Sequence, residues 1–176
     1  LLAVDASKGT VPLKLSGEES KGNEQYDPQI WLSLKEAKVE PSNIRDGLIK
    51  VDPNGKDVYE KNYNAFADKL DGLYNEYKAK FDAVQNKYFV TGHAAFRYLS
   101  RDFGLQENSV EDVFASGEPS PKKIADLVEY SRKNGVKTIF VERLVSPKVS
   151  ETLAREVGGG VERIYNLESR EENKDY

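Results

Sequence analysis

Tyr88-Phe-Val-Thr-Gly-His-Ala-Ala-Phe96 is the stretch that decides how this chain folds. Its apolar opening, Tyr88 to Thr91, reads as a strand. From Ala94 to Phe103 the apolar spacing turns helical and closes at Gly104. A strand that runs into a helix start is where open α/β folds place their ligands. The junction carries His93, the one histidine of the chain. Taken alone, a histidine at such a junction is more often a structural hydrogen-bonder than a ligand.

The same texture repeats downstream. Ser109 to Phe114 reads as a short strand. Ser120-Pro121 opens a helix, with serine as cap and proline in the first turn, and Gly135 closes it. Val136 to Glu142 is a strong apolar strand. Ser146-Pro147 repeats the cap-and-proline device for a helix ending near Gly158, and Val161 to Tyr165 is the next strand. Strands separated by helices imply a parallel sheet with right-handed crossovers. The predicted fold class is therefore α/β, an open and mostly parallel sheet flanked by helices.

Upstream, Val58, Tyr59, Tyr63, Phe66, Leu70, Leu73, Tyr74, Tyr77, Phe81 and Val84 recur at three- and four-residue steps. That predicts one long amphipathic backbone helix from Asp57 to about Asn86, roughly 45 Å in length. Its aromatic stripe reads as core packing. Ser33 with Glu36 matches a capping box for a helix running towards Lys50, which Pro41 is expected to kink or break. Asp52-Pro53 is expected to restart the pattern, with Asp52 as cap. Leu1 to Val4 and Thr10 to Leu15 read as short strands around the turn Asp5-Ala-Ser-Lys-Gly9, and Ser16 to Gln25 as a polar loop.

Composition narrows the function. With 32% charged residues, both signs interspersed and a net charge of −4, the chain has no basic stripe, so nucleic acid is not an expected partner. No run approaches the ~20 apolar residues of a membrane span. Cysteine and methionine are absent, so a bound transition metal must use the imidazole, carboxylates and water.

In a parallel sheet the C-terminal strand ends share one edge. His93, Glu142 and Glu168 fall there, and Glu118, in the loop before the proline-capped helix, can approach the same rim. One imidazole with carboxylates can hold Zn²⁺ or Mn²⁺; the same residues also make an ordinary polar rim. A hydrolase using His93 and Glu142 lacks a visible nucleophile, because Ser100 and Ser146 have no strand–Gly-x-Ser-x-Gly context. Gly158-Gly-Gly160 has no following Lys-Ser/Thr and reads as an αβ turn rather than a phosphate loop. No enzyme activity is expected.

A family likeness runs through these segments. Asp5-Ala-Ser-Lys-Gly9, Tyr26-Asp-Pro-Gln-Ile-Trp-Leu-Ser33, Thr91-Gly-His-Ala-Ala-Phe96 and Glu118-Pro-Ser-Pro121 occur in order, followed by Ile139-Phe-Val-Glu142, Ser146-Pro-Lys148, Glu151-Thr-Leu-Ala154 and Asn166-Leu-Glu-Ser169. Together they resemble the C-terminal lobe of the zinc- and manganese-binding lipoproteins that serve ABC metal importers, a family that also includes adhesins. The resemblance implies two α/β lobes joined by a long helix, with the metal in the cleft between them. It implies His93 as one histidine ligand and Glu168 as the acidic ligand. Gln29 stands where the family's Asp-Pro-His-x-Trp-Leu pattern has histidine, a substitute or outer-layer residue, as are Glu118 and Glu142.

The implied organisation is a first-lobe remnant and loop at 1–25, a helical segment with the linker helix at 26–86, and the α/β lobe at 87–176. The implied function is extracytoplasmic capture of zinc, or manganese, and delivery to an ABC permease. Binding is expected to be weak or absent in this chain alone, with a first lobe or second chain completing the site. The full-length protein is expected to be extracellular or periplasmic and membrane-anchored. The alternative is a metal-independent ligand-binding or adhesion module with a degenerate site. A long helix without its full partner lobe also predicts homodimerisation or poor solubility. Light scattering checks this: a mass rising with concentration is expected, and a monomer at every concentration excludes it.

Overall fold

The computed structural model describes residues 2–15, 25–115, 119–142 and 146–169. Four strands, β1 (Tyr88–His93), β2 (Gln106–Glu111), β3 (Thr138–Val141) and β4 (Gly160–Arg163), form one sheet in the order β2-β1-β3-β4. Every neighbouring pair is parallel, with Thr91 opposite Ser109 on one side and Phe140 on the other. The α/β parallel sheet expected from the sequence is thus present. Because β1 lies between β2 and β3, the winding reverses between β1 and β3. That reversal opens a crevice at their C-terminal ends.

Five α-helices accompany the sheet: α1 (Glu36–Val51), α2 (Lys56–Ala83), α3 (Arg97–Phe103), α4 (Pro121–Lys133) and α5 (Pro147–Glu156). Two of the three later helix starts and stops follow the sequence signals closely. Ser120 Oγ accepts from the Lys123 amide at the start of α4. Gly104, Gly135 and Gly158 take left-handed φ values of 67°, 66° and 66° just past α3, α4 and α5. Ser146 precedes α5 but makes no side-chain capping bond.

Several expectations need correction. The strand predicted over 109–114 lies at Gln106–Glu111, because pairing starts as soon as Gly104 turns the chain: the Gln106 amide donates to the Lys87 carbonyl. The helix predicted from Ala94 begins at Arg97, since β1 extends through His93 and the Ala95 amide folds back on the His93 carbonyl at 2.9 Å. Neither short N-terminal strand forms among the described residues. Lys14 makes one antiparallel bridge to Tyr26 and no more. Most of the expected polar loop, residues 16–24, lies outside the described residues.

Pro41 does not break α1. A proline inside a helix removes one hydrogen bond, but α1 is held before it by Lys38 Nζ on Asp71 of α2 and after it by the N-terminal segment. Asn43 Nδ2 donates to the Ala6 and Lys8 carbonyls, and Gly47 packs against Val4. Ser33 caps the first turn as predicted, accepting from the Glu36 amide at 3.1 Å. The reciprocal half of the capping box is missing, because the Glu36 carboxylate turns instead to Arg101 (2.8 Å) and the Val11 amide (3.2 Å). Asp52 likewise spends its carboxylate on the Tyr59 hydroxyl and does not cap with its side chain.

The core lies between the sheet and α4 and α5, where Val90, Val110, Leu127, Val136, Ile139 and Leu153 are buried together. The other side is closed by Leu32, Ala95 and Phe96. Helix α2, with 28 residues, is about 42 Å long at ~1.5 Å per residue. It docks by aromatic contacts: Tyr74 and Phe81 lie 5.4 and 5.1 Å from the ring of Phe103 in α3. Val58 and Tyr77, with Val84 just past its end, leave part of its apolar surface exposed. No described helix is long and apolar enough to cross a membrane.

Two glycines give opposite stability predictions. A Cβ on Gly159 would collide with the Lys137 backbone carbonyl, which also accepts the Gly160 amide. Gly159→Ala is expected to destabilise by about 1–3 kcal/mol or more. Gly72, in the middle of α2, has open space around it. Gly72→Ala is expected to stabilise by about 0.5–1 kcal/mol. Urea unfolding of both variants checks the pair.

Candidate metal centre at the strand ends

The crevice between β1 and β3 holds a cleft of about 170 Å³ lined by Gln29, His93, Val113, Phe114, Ala115, Glu142, Asn166 and Glu168. His93 ends β1, and Glu142 directly follows β3. Both side chains are almost fully buried, 5% and 1% exposed, and His93 Nδ1 stands 3.1 Å from Glu142 Oε1. Glu142 accepts no other hydrogen bond among the described residues. With Nδ1 committed to the carboxylate, Nε2 is the nitrogen left for another partner, the arrangement typical of a histidine oriented by its neighbour.

Opposite them stand Gln29 and Glu168. Gln29 Nε2 donates to Glu168 Oε1 at 3.0 Å. This bond fixes the amide's orientation and leaves Gln29 Oε1 buried with no partner among the described residues. Gln29 is itself fastened from behind. Its amide donates to Asp27 Oδ1 (2.8 Å), the Asp27 carbonyl accepts from the fully buried Tyr98 hydroxyl (2.8 Å), and Tyr98 accepts from the Leu13 amide (3.0 Å). Asn166 positions the Glu168 side by accepting from its amide (3.2 Å), while the Asn166 carbonyl accepts from Trp31 Nε1 (2.9 Å). The two described non-glycine residues with left-handed backbone, Ala115 (φ 49°) and Leu167 (φ 63°), both stand at this rim. Such conformations concentrate where the surroundings hold a site in place.

Burial alone would lower the His93 pKa, but the Glu142 contact and charge, backed by Glu168 and Glu107, outweigh it and raise it. Glu107, on β2, is pushed up to about 7 by burial first, although Thr91, Phe96 and Arg97 oppose the rise. Glu111, opposite His93 in the sheet, is also raised, chiefly by burial.

Four of the five expected site residues, His93, Glu168, Gln29 and Glu142, therefore line one cleft. The fifth, Glu118, lies outside the described residues. No three His, Asp or Glu side chains among the described residues converge as a ready metal-holding group. A glutamine is a different kind of donor, and it is Gln29 that fills the space beside His93 and Glu168. Glu107 escaped the sequence reading because β2 was placed three residues too late. Residues 106–109 are all polar and carry no strand periodicity of their own, so no local signal marked this start.

The sequence of residues 2–176 matches the profile of a family described as the periplasmic zinc-uptake complex component A. The chain belongs to this family. It is 44% identical over 185 residues to a Treponema pallidum protein provisionally named as metal-binding, covering 99% of this chain and 58% of that protein. It is 35% identical over 179 residues to the high-affinity zinc uptake system protein ZnuA of Bacillus subtilis, covering 96% of this chain and 56% of ZnuA. Among solved structures, the laminin-binding protein Lmb of Streptococcus agalactiae superimposes with a TM-score of 0.89 at 34% identity, covering 97% of this chain and 63% of Lmb. That protein is described as bifunctional, with adhesin and metal-transporting activity. The chain spans somewhat more than half the length of the curated relatives it matches.

The raised carboxyl pKa makes stability pH-dependent. Glu107 holds its proton more tightly folded (about 7) than unfolded (4.5), so folding takes up a proton between these values. Stability falls as pH rises through that window, by at most about 3.5 kcal/mol from this group. His93, also raised, adds a loss in the same direction as pH rises through its folded pKa. Denaturant unfolding at pH 5, 6, 7 and 8 is expected to show this fall, and Glu107→Gln is expected to flatten the lower part.

Proposed function

We propose that this chain is the metal-capturing component of an ABC importer, taking zinc or manganese as cargo and passing it to a permease without chemical turnover. The observation that carries the reading is the buried pair of bare donors facing one cleft. His93 Nδ1 stands 3.1 Å from Glu142, which leaves Nε2 to meet another partner, and Gln29 keeps Oε1 without a partner among the described residues because Nε2 is held by Glu168. Glu168 supplies the acidic donor of the set. A neutral imidazole, an amide oxygen and a carboxylate are ligands that divalent transition ions accept, and the surplus of carboxylates around one histidine favours a cation. Membership of the zinc-uptake family supports the same cargo.

The fold organisation carries over as part of this reading: a first-lobe remnant at 1–25, a helical linker segment at 26–86 and the metal-holding lobe at 87–176. A first lobe or a second chain supplies the remaining donors, and the whole works on the outer face of the membrane as an anchored lipoprotein. No observation of this structure favours the metal-independent alternative.

Calorimetric titration with zinc and with manganese tests the proposal. His93→Ala is expected to weaken zinc at least about tenfold, since even loss of a residue behind the ligands costs that much. Gln29→Ala is expected to weaken it less, an amide oxygen being the poorer ligand. Gln29→His is expected to strengthen zinc more than manganese, because imidazole suits zinc better than it suits the harder ion. Equal affinities in the parent and all three variants would overturn the site.

A further inference from the structure

Behind the cleft, Glu107 of β2 reaches across to the turn that carries His93. Its Oε1 accepts from the Phe96 amide at 3.1 Å and stands 2.8 Å from Thr91 Oγ1. Thr91 and Phe96 flank His93 by two and three residues, so one carboxyl group ties down both sides of the histidine turn. Thr91 Oγ1 lies 2.7 Å from the His93 carbonyl as well.

The protons at this junction can be counted. Thr91 Oγ1 has one proton to give, and both the His93 carbonyl and Glu107 Oε1 lie within its reach as acceptors. The 2.8 Å contact is Thr91 Oγ1 donating to Glu107 Oε1, the direction that works against burial in setting the Glu107 pKa. The second carboxyl oxygen, Oε2, is shut from solvent and has no hydrogen-bond partner among the described residues, a poor place for ionic charge. The neighbours divide. Arg97 from α3 favours the ionised form, Glu142 beyond β3 opposes it, and His93 and Tyr130 of α4 also lie within electrostatic reach.

We infer that Glu107 is the positioning residue of His93, a carboxyl group that accepts from Thr91 Oγ1 and from the Phe96 amide and so clamps both sides of the histidine turn. It does not touch the cargo. It holds the backbone from which His93 points, as residues behind metal ligands commonly do. The inference rests on the metal-capture reading for its consequence, but the clamp itself is independent of any metal.

The test uses the fact that His93 is the sole histidine, so its imidazole gives one set of ring nitrogen signals. Glu107→Ala is expected to broaden or shift those signals without metal, and to weaken zinc about tenfold by calorimetry. Glu107→Gln, uncharged and the same shape, is expected to recover most of both. Leu127→Ala, a core variant in the α4 interface, controls for lost stability and is expected to leave the ring signals in place. Unchanged signals and affinity in Glu107→Ala would overturn the inference, as would equal effects from Leu127→Ala. If the parent binds neither zinc nor manganese but Glu107→Ala still perturbs the His93 signals, the clamp stands and the capture reading falls.

Discussion

The parallel pairing of β1 with β2 on one side and β3 on the other is the constraint from which the site follows. Parallel strands end together, and with β1 in the middle the crossovers leave in opposite directions. His93 at the end of β1 and Glu142 at the end of β3 are thereby neighbours across the sheet, though 49 residues separate them in the chain by number. Side chains held by paired strands lose little further freedom when they bind. A site built at such strand ends is therefore more exact than one carried on loops.

The second constraint is charge. Glu107, Glu111, Glu142 and Glu168 all lie within electrostatic reach of one histidine. Burying that many carboxylates is costly unless each finds a donor or a proton. The structure gives Glu142, Glu168 and Glu107 each a different solution. Glu142 has the His93 ring, Glu168 has the Gln29 amide, and Glu107 has Thr91, Phe96 and a raised pKa. Gln29 matters here for a reason separate from ligand strength. An imidazole could be protonated in place and cancel the charge of Glu168, whereas an amide cannot, so the negative potential of the cleft persists at every pH where the carboxylates are ionised.

The sheet was legible in the sequence because strand and helix signals alternated, and because proline-capped starts and glycine stops mark local backbone geometry. Ser120 capping Lys123, and the left-handed glycines at 104, 135 and 158, need nothing beyond their own neighbours. What failed depended on distant partners. Pro41 sits in an unbroken helix whose following turns are held by Ala6, Lys8 and Val4, more than thirty residues earlier. Glu36 abandoned its capping role for Arg101, and β2 took its limits from β1 rather than from its own apolar content. His93, Glu142 and Glu168 were visible as residues at the strand ends, and Gln29 through family likeness. The Gln29–Glu168 bond that turns the amide oxygen into the cleft spans 139 positions and has no trace in local sequence.

Competition between protons and a cation gives the cleft its working direction. The carboxylates that draw in a cation also raise the His93 pKa, so the same field that favours capture favours the proton that blocks Nε2. Glu142 sharpens this balance. As a hydrogen-bond acceptor it keeps Nδ1 protonated in the neutral ring and so presents Nε2 as the lone-pair donor, but as a charge it stabilises the imidazolium. A cation arriving at Nε2 displaces that second proton while leaving the first on Nδ1, and the Glu142 contact survives unchanged. On the metal-capture reading, the cleft would exchange a proton for an ion without rearranging the residues that hold it, as capture and release of one cargo require.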